Sequence, residues 1–427
     1  MNKDLSNAYV SILEKELVVA LGCTEPIAIA FACAKARDVL GSLPTHLDVY
    51  CSGNIIKNVK GVTVPHSNGK KGIEVAAILG AIAGHSERGL AVLEGIKNDD
   101  LAICERLLEA HICNVELVEN VPNLFIRVVA HSETGIVEVV IENTHSNIIL
   151  VKKDDQVIFG DEVQSIKKDL VPDLKELLTV KDILEFANTV SLDLVKPVLG
   201  RQIELNSKIA EEGLTNSYGA AVGQTIRDHQ SPTVYNKARA YAAAGSDARM
   251  SGCPLPVVIN SGSGNQGITV SVPLIVYARE QNINEETLYR ALIVSNLIAL
   301  HQKRYIGSLS AYCGAVSAAC GSACGIAYME GFDYDGISDV ITNTIATVGG
   351  MVCDGAKPSC AAKIAVALET AFLALEMAKN QRSFKSGEGL VKTDVEKTIA
   401  CVGTMGRVGM YGTDVEILNL MLDKVEL

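Results

Sequence analysis

Apolar residues recur at helical spacing in "VKDILEFANTV", "INEETLYRALIVSNLIALHQK" and "CAAKIAVALETAFLALEMAKN". That spacing predicts helices through most of the chain from about residue 175 to the end. Residues 5 to 40 also read as helix: Ile12, Val18 and Val19 precede a break at "GCTEPIAIA", and Ile27 and Ile29 follow it. Thr24, Glu25 and Pro26 form a helix start, because an early Pro forfeits no hydrogen bond there. From about 46 to 150 the texture changes. "LDVYCS" reads as a strand and "GIEVAAILGAIAG" as an apolar helix. "NVELVE", "LFIRVVAHS", "GIVEVVIENT" and "NIILVKK" are short β-rich runs between turn residues, which predict an antiparallel meander. A charged stretch around 152 to 175 leads onward. The expected fold class is α+β: a mainly α-helical domain (166–427), an inserted small α+β domain containing an antiparallel sheet (46–165), and N-terminal helices (1–45) packing on the helical domain.

Two segments break the pattern. "MSGCPLPVVINSGSGNQGITVSVPL" carries Pro and Gly at a density that argues against a long helix. Tyr305 to Met329 has no charged residue and enough length to span a bilayer, yet Gly, Ser, Ala and Cys dominate it. Gly307, Gly314 and Gly321 recur every seventh residue, which predicts a smooth strip on a helix buried inside the protein.

Composition narrows the function classes. The 427 residues allow two or three domains; 48% are hydrophobic and 21% charged, as in folded soluble proteins. With 36 Gly, no Trp and 4% aromatics, backbones must approach closely where other proteins use rings. A formal net charge of −12 disfavours nucleic acid or an anionic membrane as a general partner. "MNKDLSNAYVSILEKEL" lacks the apolar core and cleavage site of a secretion signal, so a cytoplasmic location is expected.

The redox compartment then bears on the twelve cysteines, since cytosolic thiols stay reduced. Cys33, Cys51, Cys104, Cys113 and Cys401 sit singly among apolar residues and read as small buried hydrophobes. Cys313, Cys320, Cys324, Cys353 and Cys360 crowd together, the last two on the turn-rich loop "CDGAKPSC". Close C-x-x-C pairs of structural zinc sites are missing. A [4Fe–4S] cluster accepts looser spacing, and Cys353, Cys360 and one thiol of the 313–324 segment form one possible site; chance remains the other reading. Cys23 precedes a helix start, where the dipole favours a thiolate, or is a cap that happens to contain Cys. "SGSGNQG" (261–267) offers converging N–H groups plus Ser261, Ser263, Asn265 and Gln266 for an anion, or makes a polar turn. It has no P-loop lysine, and neither a βαβ unit nor a helix opening at Gly267 is expected around it. "CSGNIIKN", with Ser52, Asn54 and Lys57, is a similar polar loop.

"LGCTEPIAIA", "AGSDARMSGCPLPVVINSGSGNQG", "AYCGAVSAAC" and "MVCDGAKPSC" together resemble the L-cysteine desulfidases, which belong with the iron–sulfur L-serine dehydratases and uncharacterised relatives. The resemblance runs from about residue 8 to the C-terminus, and the insert with "GHSERG" is similar to the dehydratases' small domain. It implies a [4Fe–4S] cluster on Cys313, Cys353 and Cys360, with Cys320 and Cys324 as packing residues. It implies Cys23 as proton acceptor, with a lowered pKa, and Ser52, Asn54, Ser261, Ser263 and Asn265 around the substrate. The implied activity is a carbon–sulfur lyase independent of pyridoxal phosphate, converting L-cysteine to pyruvate, ammonia and hydrogen sulfide. Serine dehydration at the same site and a non-enzymatic cysteine sensor are the alternatives. The expected partners are a small amino-acid substrate and a second copy in a homodimer, with neither nucleic acid nor membrane. One departure stands out: the chain ends "LMLDKVEL", without the C-terminal cysteine that caps the open iron in some serine dehydratases.

Overall fold

A computed structural model describes residues 1–160, 173–307 and 309–424. The first part contains α1 (Lys3–Glu16), β1 (Val19–Leu21), α2 (Thr24–Leu40), β2 (His46–Cys51), α3 (Gly53–Lys60), α4 (Ile73–Ala83) and α5 (Asn98–Glu109). Five strands follow: β3 (Cys113–Leu117), β4 (Phe125–Ser132), β5 (Gly135–Glu142), β6 (Ile148–Lys153) and β7 (Gln156–Gly160). Next come α6 (Val180–Thr189), α7 (Lys196–Thr215), α8 (Val222–His229), α9 (Val234–Met250), β8 (Pro256–Val258) and α10 (Gly264–Gln281). The chain continues through α11 (Glu285–Ile306), α12 (Gly314–Met329), α13 (Tyr334–Val348), α14 (Cys360–Lys379), α15 (Val395–Thr404) and α16 (Tyr411–Met421). The fold is α+β, as the alternation of periods predicts. The boundary expected at 165/166 lies outside the described residues.

Two apolar cores organise these elements. One is helical and gathers α1, α6, α7 and α9 to α15. The other lies between the six-stranded sheet and the helices α2 and α4. Residues 1–45 are therefore shared: Tyr9 and Leu13 of α1 enter the helical core, whereas Ile27, Ile29 and Leu40 of α2 enter the core beneath the sheet.

The sheet order is β3-β2-β4-β5-β6-β7. From β2 through β7 the pairing is antiparallel, as expected of a meander, but β3 pairs parallel to β2 at the edge. "NVELVE" thus departs from the predicted meander. A parallel neighbour needs a helical crossover, and α3, α4 and α5 supply it.

The Pro- and Gly-rich segment is the larger correction. It holds a short strand and then the 18-residue helix α10, with Pro273 inside it. Proline removes the N–H that would bond the carbonyl four residues earlier. That carbonyl, on Thr269, accepts instead from the Ser322 hydroxyl of α12 at 2.7 Å. Ser322→Ala should therefore orphan a buried carbonyl and cost about 1–3 kcal/mol, read as a lower denaturation midpoint. A second correction concerns the predicted glycine strip: α12 begins only at Gly314, and Gly307 caps α11 with φ +98°. Gly321 does sit where a Cβ would collide with the Ser295 carbonyl oxygen of α11. Among the described residues no helix is long and apolar enough to cross a membrane.

Strand pairing positions the site. β1 runs antiparallel to β8, with Val19 opposite Val258 and Leu21 opposite Pro256. This pair sets "GCTEP" beside "SGSGNQG", although some 240 residues separate them in the chain.

Candidate active site

Four helices begin at one cavity of about 100 Å³. Cys23 is the N-cap of α2, Ser263 of α10 and Cys313 of α12, while Cys360 is the first residue of α14. All four residues line the cavity. None of these four helices has a side-chain cap, whereas α1, α6, α9, α11, α13 and α15 are capped by Asn, Thr or Asp. Uncapped first-turn N–H groups and converging helix dipoles make the cavity electropositive, suited to thiolates and other anions.

The three thiols of the resemblance meet here. A backbone exchange sets the first two side by side: Cys313 N–H donates to the Met351 carbonyl (2.8 Å), and Cys353 N–H to that of Ala311 (2.6 Å). The loop then turns at Gly355, where φ is +94° and a Cβ would collide with the Lys57 carbonyl oxygen. Cys360 N–H closes the turn onto the Lys357 carbonyl at 2.9 Å. The Cys313 thiol donates to Cys353, which raises Cys313 together with its burial. Cys353 is driven down toward the thiolate by that bond, against its own burial, with help from Lys57, the Gly355 N–H and Lys363. Burial raises Cys360.

Cations surround the thiols. Lys57 is buried, donates to the Cys353 carbonyl (3.4 Å) and pairs with Asp414 of α16. Lys363 pairs with Asp354. Lys303, on α11, lines the cavity; burial pulls it down to about 8 while Cys353 and Cys313 pull the other way. Among the described residues no group of three or more His, Cys, Asp or Glu is arranged to hold a single metal ion. The twelve cysteines are all free thiols.

Cys23 is buried, and its thiol donates to Glu25 Oε2 at 3.0 Å. Burial and the Glu25 charge raise it well above the ordinary thiol range, and Arg249 opposes them only in part. The expectation of a lowered Cys23 pKa is thus overturned: desolvation and a neighbouring carboxylate outweigh the helix end. Burial would raise Glu25, but His145, the Cys23 thiol and a backbone N–H hold it down at about 2. His145 comes from the β5–β6 loop of the small domain; its Nε2 stands 3.8 Å from Glu25 Oε1. Thr24 Oγ1 donates to the Gly262 carbonyl at 2.9 Å, tying the first motif to the polar loop.

Of the predicted substrate residues, Ser261, Ser263 and Asn265 line the cavity, and Ser52 and Asn54 do not. Ser52 donates to the Asn123 carbonyl (2.7 Å) and Asn54 to Asp414 Oδ2 (2.8 Å). Asn58, one turn further along α3, reaches the cavity instead. Glu25, His145, Arg249 and Lys303 also line the cavity, outside the predicted set of site residues. Glu25 and Arg249 lie within the quoted motifs, so their charge was a usable signal; His145 and Lys303 carry none locally.

The family described as "Serine dehydratase alpha chain" matches residues 87–419. A UPF0597 protein of Finegoldia magna is 50% identical over 417 residues, covering 97% of this chain and 99% of that one. A UPF0597 protein of Treponema denticola is 45% identical over 431 residues, covering 99% of each. One of Lachnoclostridium phytofermentans is 49% identical over 416 residues, covering 97% of this chain and 99% of its own.

Proposed function

Because the chain belongs to the serine dehydratase alpha chain family, we propose that it is an iron–sulfur lyase that removes the β-substituent of a small L-amino acid, with L-cysteine as substrate and pyruvate, ammonia and hydrogen sulfide as products. The observation that carries the reading is the convergence of Cys313, Cys353 and Cys360 on the cavity that Cys23 and the 261–266 loop also line. Three soft thiol donors at helix starts and a flanking loop, with Lys57, Lys303 and Lys363 nearby, fit a [4Fe–4S] cluster better than a hard cation. When bound, such a cluster would be held by Cys313, Cys353 and Cys360 and would supply Lewis acidity for the departure of the β-substituent.

The chain's own groups account for the rest. Ser261, Ser263 and Asn265, at the opening of α10, offer donors to the amino acid's polar end. Cys23 takes the α-proton as the bond to the β-substituent breaks, and the released enamine hydrolyses to pyruvate and ammonia. The thiol that donates to Glu25 must first lose its proton to solvent, and the positive charge of an incoming ammonium favours that step. Glu25 therefore tunes the base. Activity should rise with pH as Cys23 ionises, and Glu25→Gln should move that limb to lower pH, because a raising charge is removed. A kcat/KM profile for both forms checks this; an unmoved limb would free Cys23 from Glu25's control.

The reading is tested by parallel assays of anaerobically reconstituted protein with L-cysteine and L-serine. Pyruvate with sulfide from cysteine is expected. Pyruvate from serine alone would make the chain a serine dehydratase, and product from neither would contradict the lyase.

A further inference from the structure

Arg249, on the last turn of α9, is 2% exposed and lines the cavity beside Cys23. Among the described residues its guanidinium makes one hydrogen bond, from Nη1 to Asn265 Oδ1 at 3.2 Å, and its buried Nε has no acceptor. Among the described residues no carboxylate forms an ion pair with it. Its arm lies against the first turn of α10, where a Cβ at Gly264 would fall 2.2 Å from Nε, so the cation packs directly on the glycine. A buried positive charge without a partner is costly, and here it is placed at the positive end of an 18-residue helix whose first N–H groups lack a side-chain cap. Both features call for an anion in the cavity. The acceptor atom Gln266 Oε1 is also buried without a donor, and Glu25 contributes a negative charge on the Cys23 side.

A planar fork of N–H groups matches a carboxylate. We propose that Arg249 is the anchor for the substrate's α-carboxylate, so that the site requires a small amino acid with a free carboxylate. This deepens the lyase reading and rests on it for the term substrate, but the anchor itself is a matter of binding. With the carboxylate on Arg249 and the ammonium toward Glu25, the zwitterion spans the cavity and leaves its β-substituent free to face the three thiols.

The test uses L-alanine, which has no leaving group, and L-alaninamide, which has no carboxylate. Each is titrated calorimetrically into full-length protein reconstituted anaerobically. L-alanine should bind about 10- to 100-fold more tightly than L-alaninamide, the worth of one charge-assisted contact. Arg249→Gln should erase that preference, and Arg249→Lys should restore part of it. Equal binding of the two ligands by the unaltered protein, binding of neither, or a preference that survives Arg249→Gln would overturn the anchor. Should Arg249→Gln fail to fold, the two-ligand comparison on the unaltered protein still decides. An Arg249-dependent preference in a protein that forms no pyruvate would sink the lyase reading and leave the anchor in place.

Discussion

Cys353→Ser should lose iron and pyruvate formation together. Cys353 is the thiol that its surroundings hold closest to the thiolate, through the Cys313 donor, the Gly355 N–H, Lys57 and Lys363. A thiolate, not a thiol, ligates iron, so the environment is already arranged for the ligand. A serine hydroxyl occupies the same place but stays protonated and offers a hard oxygen in place of soft sulfur. Iron and acid-labile sulfide in the anaerobically prepared variant should fall to background, and the elimination rate with them. Cys401→Ser, a change at a partly buried cysteine outside the cavity, should leave both intact. Full iron content in Cys353→Ser would remove this residue from the ligand set.

Cys23→Ala should separate the two properties. Removing the proton acceptor should lower kcat by roughly 10²- to 10⁴-fold, the usual worth of a positioned base. Iron content should be unchanged, since Cys23 is not one of the three proposed ligand thiols. Near-normal turnover in this variant would assign the α-proton to another group lining the cavity, with Lys303 next to examine. Loss of iron in Cys23→Ala would place it among the ligands.

Local signals served well where the determinant is local. Pro26 marked the start of α2, and "CDGAKPSC" announced a loop that brings two thiols back on one another. Failures came where the partner is remote. Pro273 argued against a helix, yet the carbonyl it strands is satisfied by Ser322 from a different helix. "NVELVE" looked like one more strand of a meander, and its parallel pairing depends on a crossover that alternation does not encode. For Cys23 the helix end was legible and the sign of the shift was not. Glu25 lies two residues away, but only the buried side-chain geometry turns it onto the thiol. Ser52 and Asn54 sat on a promising loop, and their hydrogen-bond partners, Asn123 and Asp414, are distant in sequence. His145 reaches the site from a hairpin loop of the small domain, a placement that follows from the sheet and not from its neighbours.

The central claim is that Cys313, Cys353 and Cys360 together hold an iron–sulfur cluster beside Cys23. Its most direct measurement is iron and acid-labile sulfide per chain in anaerobically reconstituted protein, compared with the Cys313→Ala, Cys353→Ala and Cys360→Ala forms. The account predicts about four of each per chain in the unaltered protein and background levels in all three variants. Stoichiometric cluster in any one of the variants, or none in the unaltered protein, would contradict it.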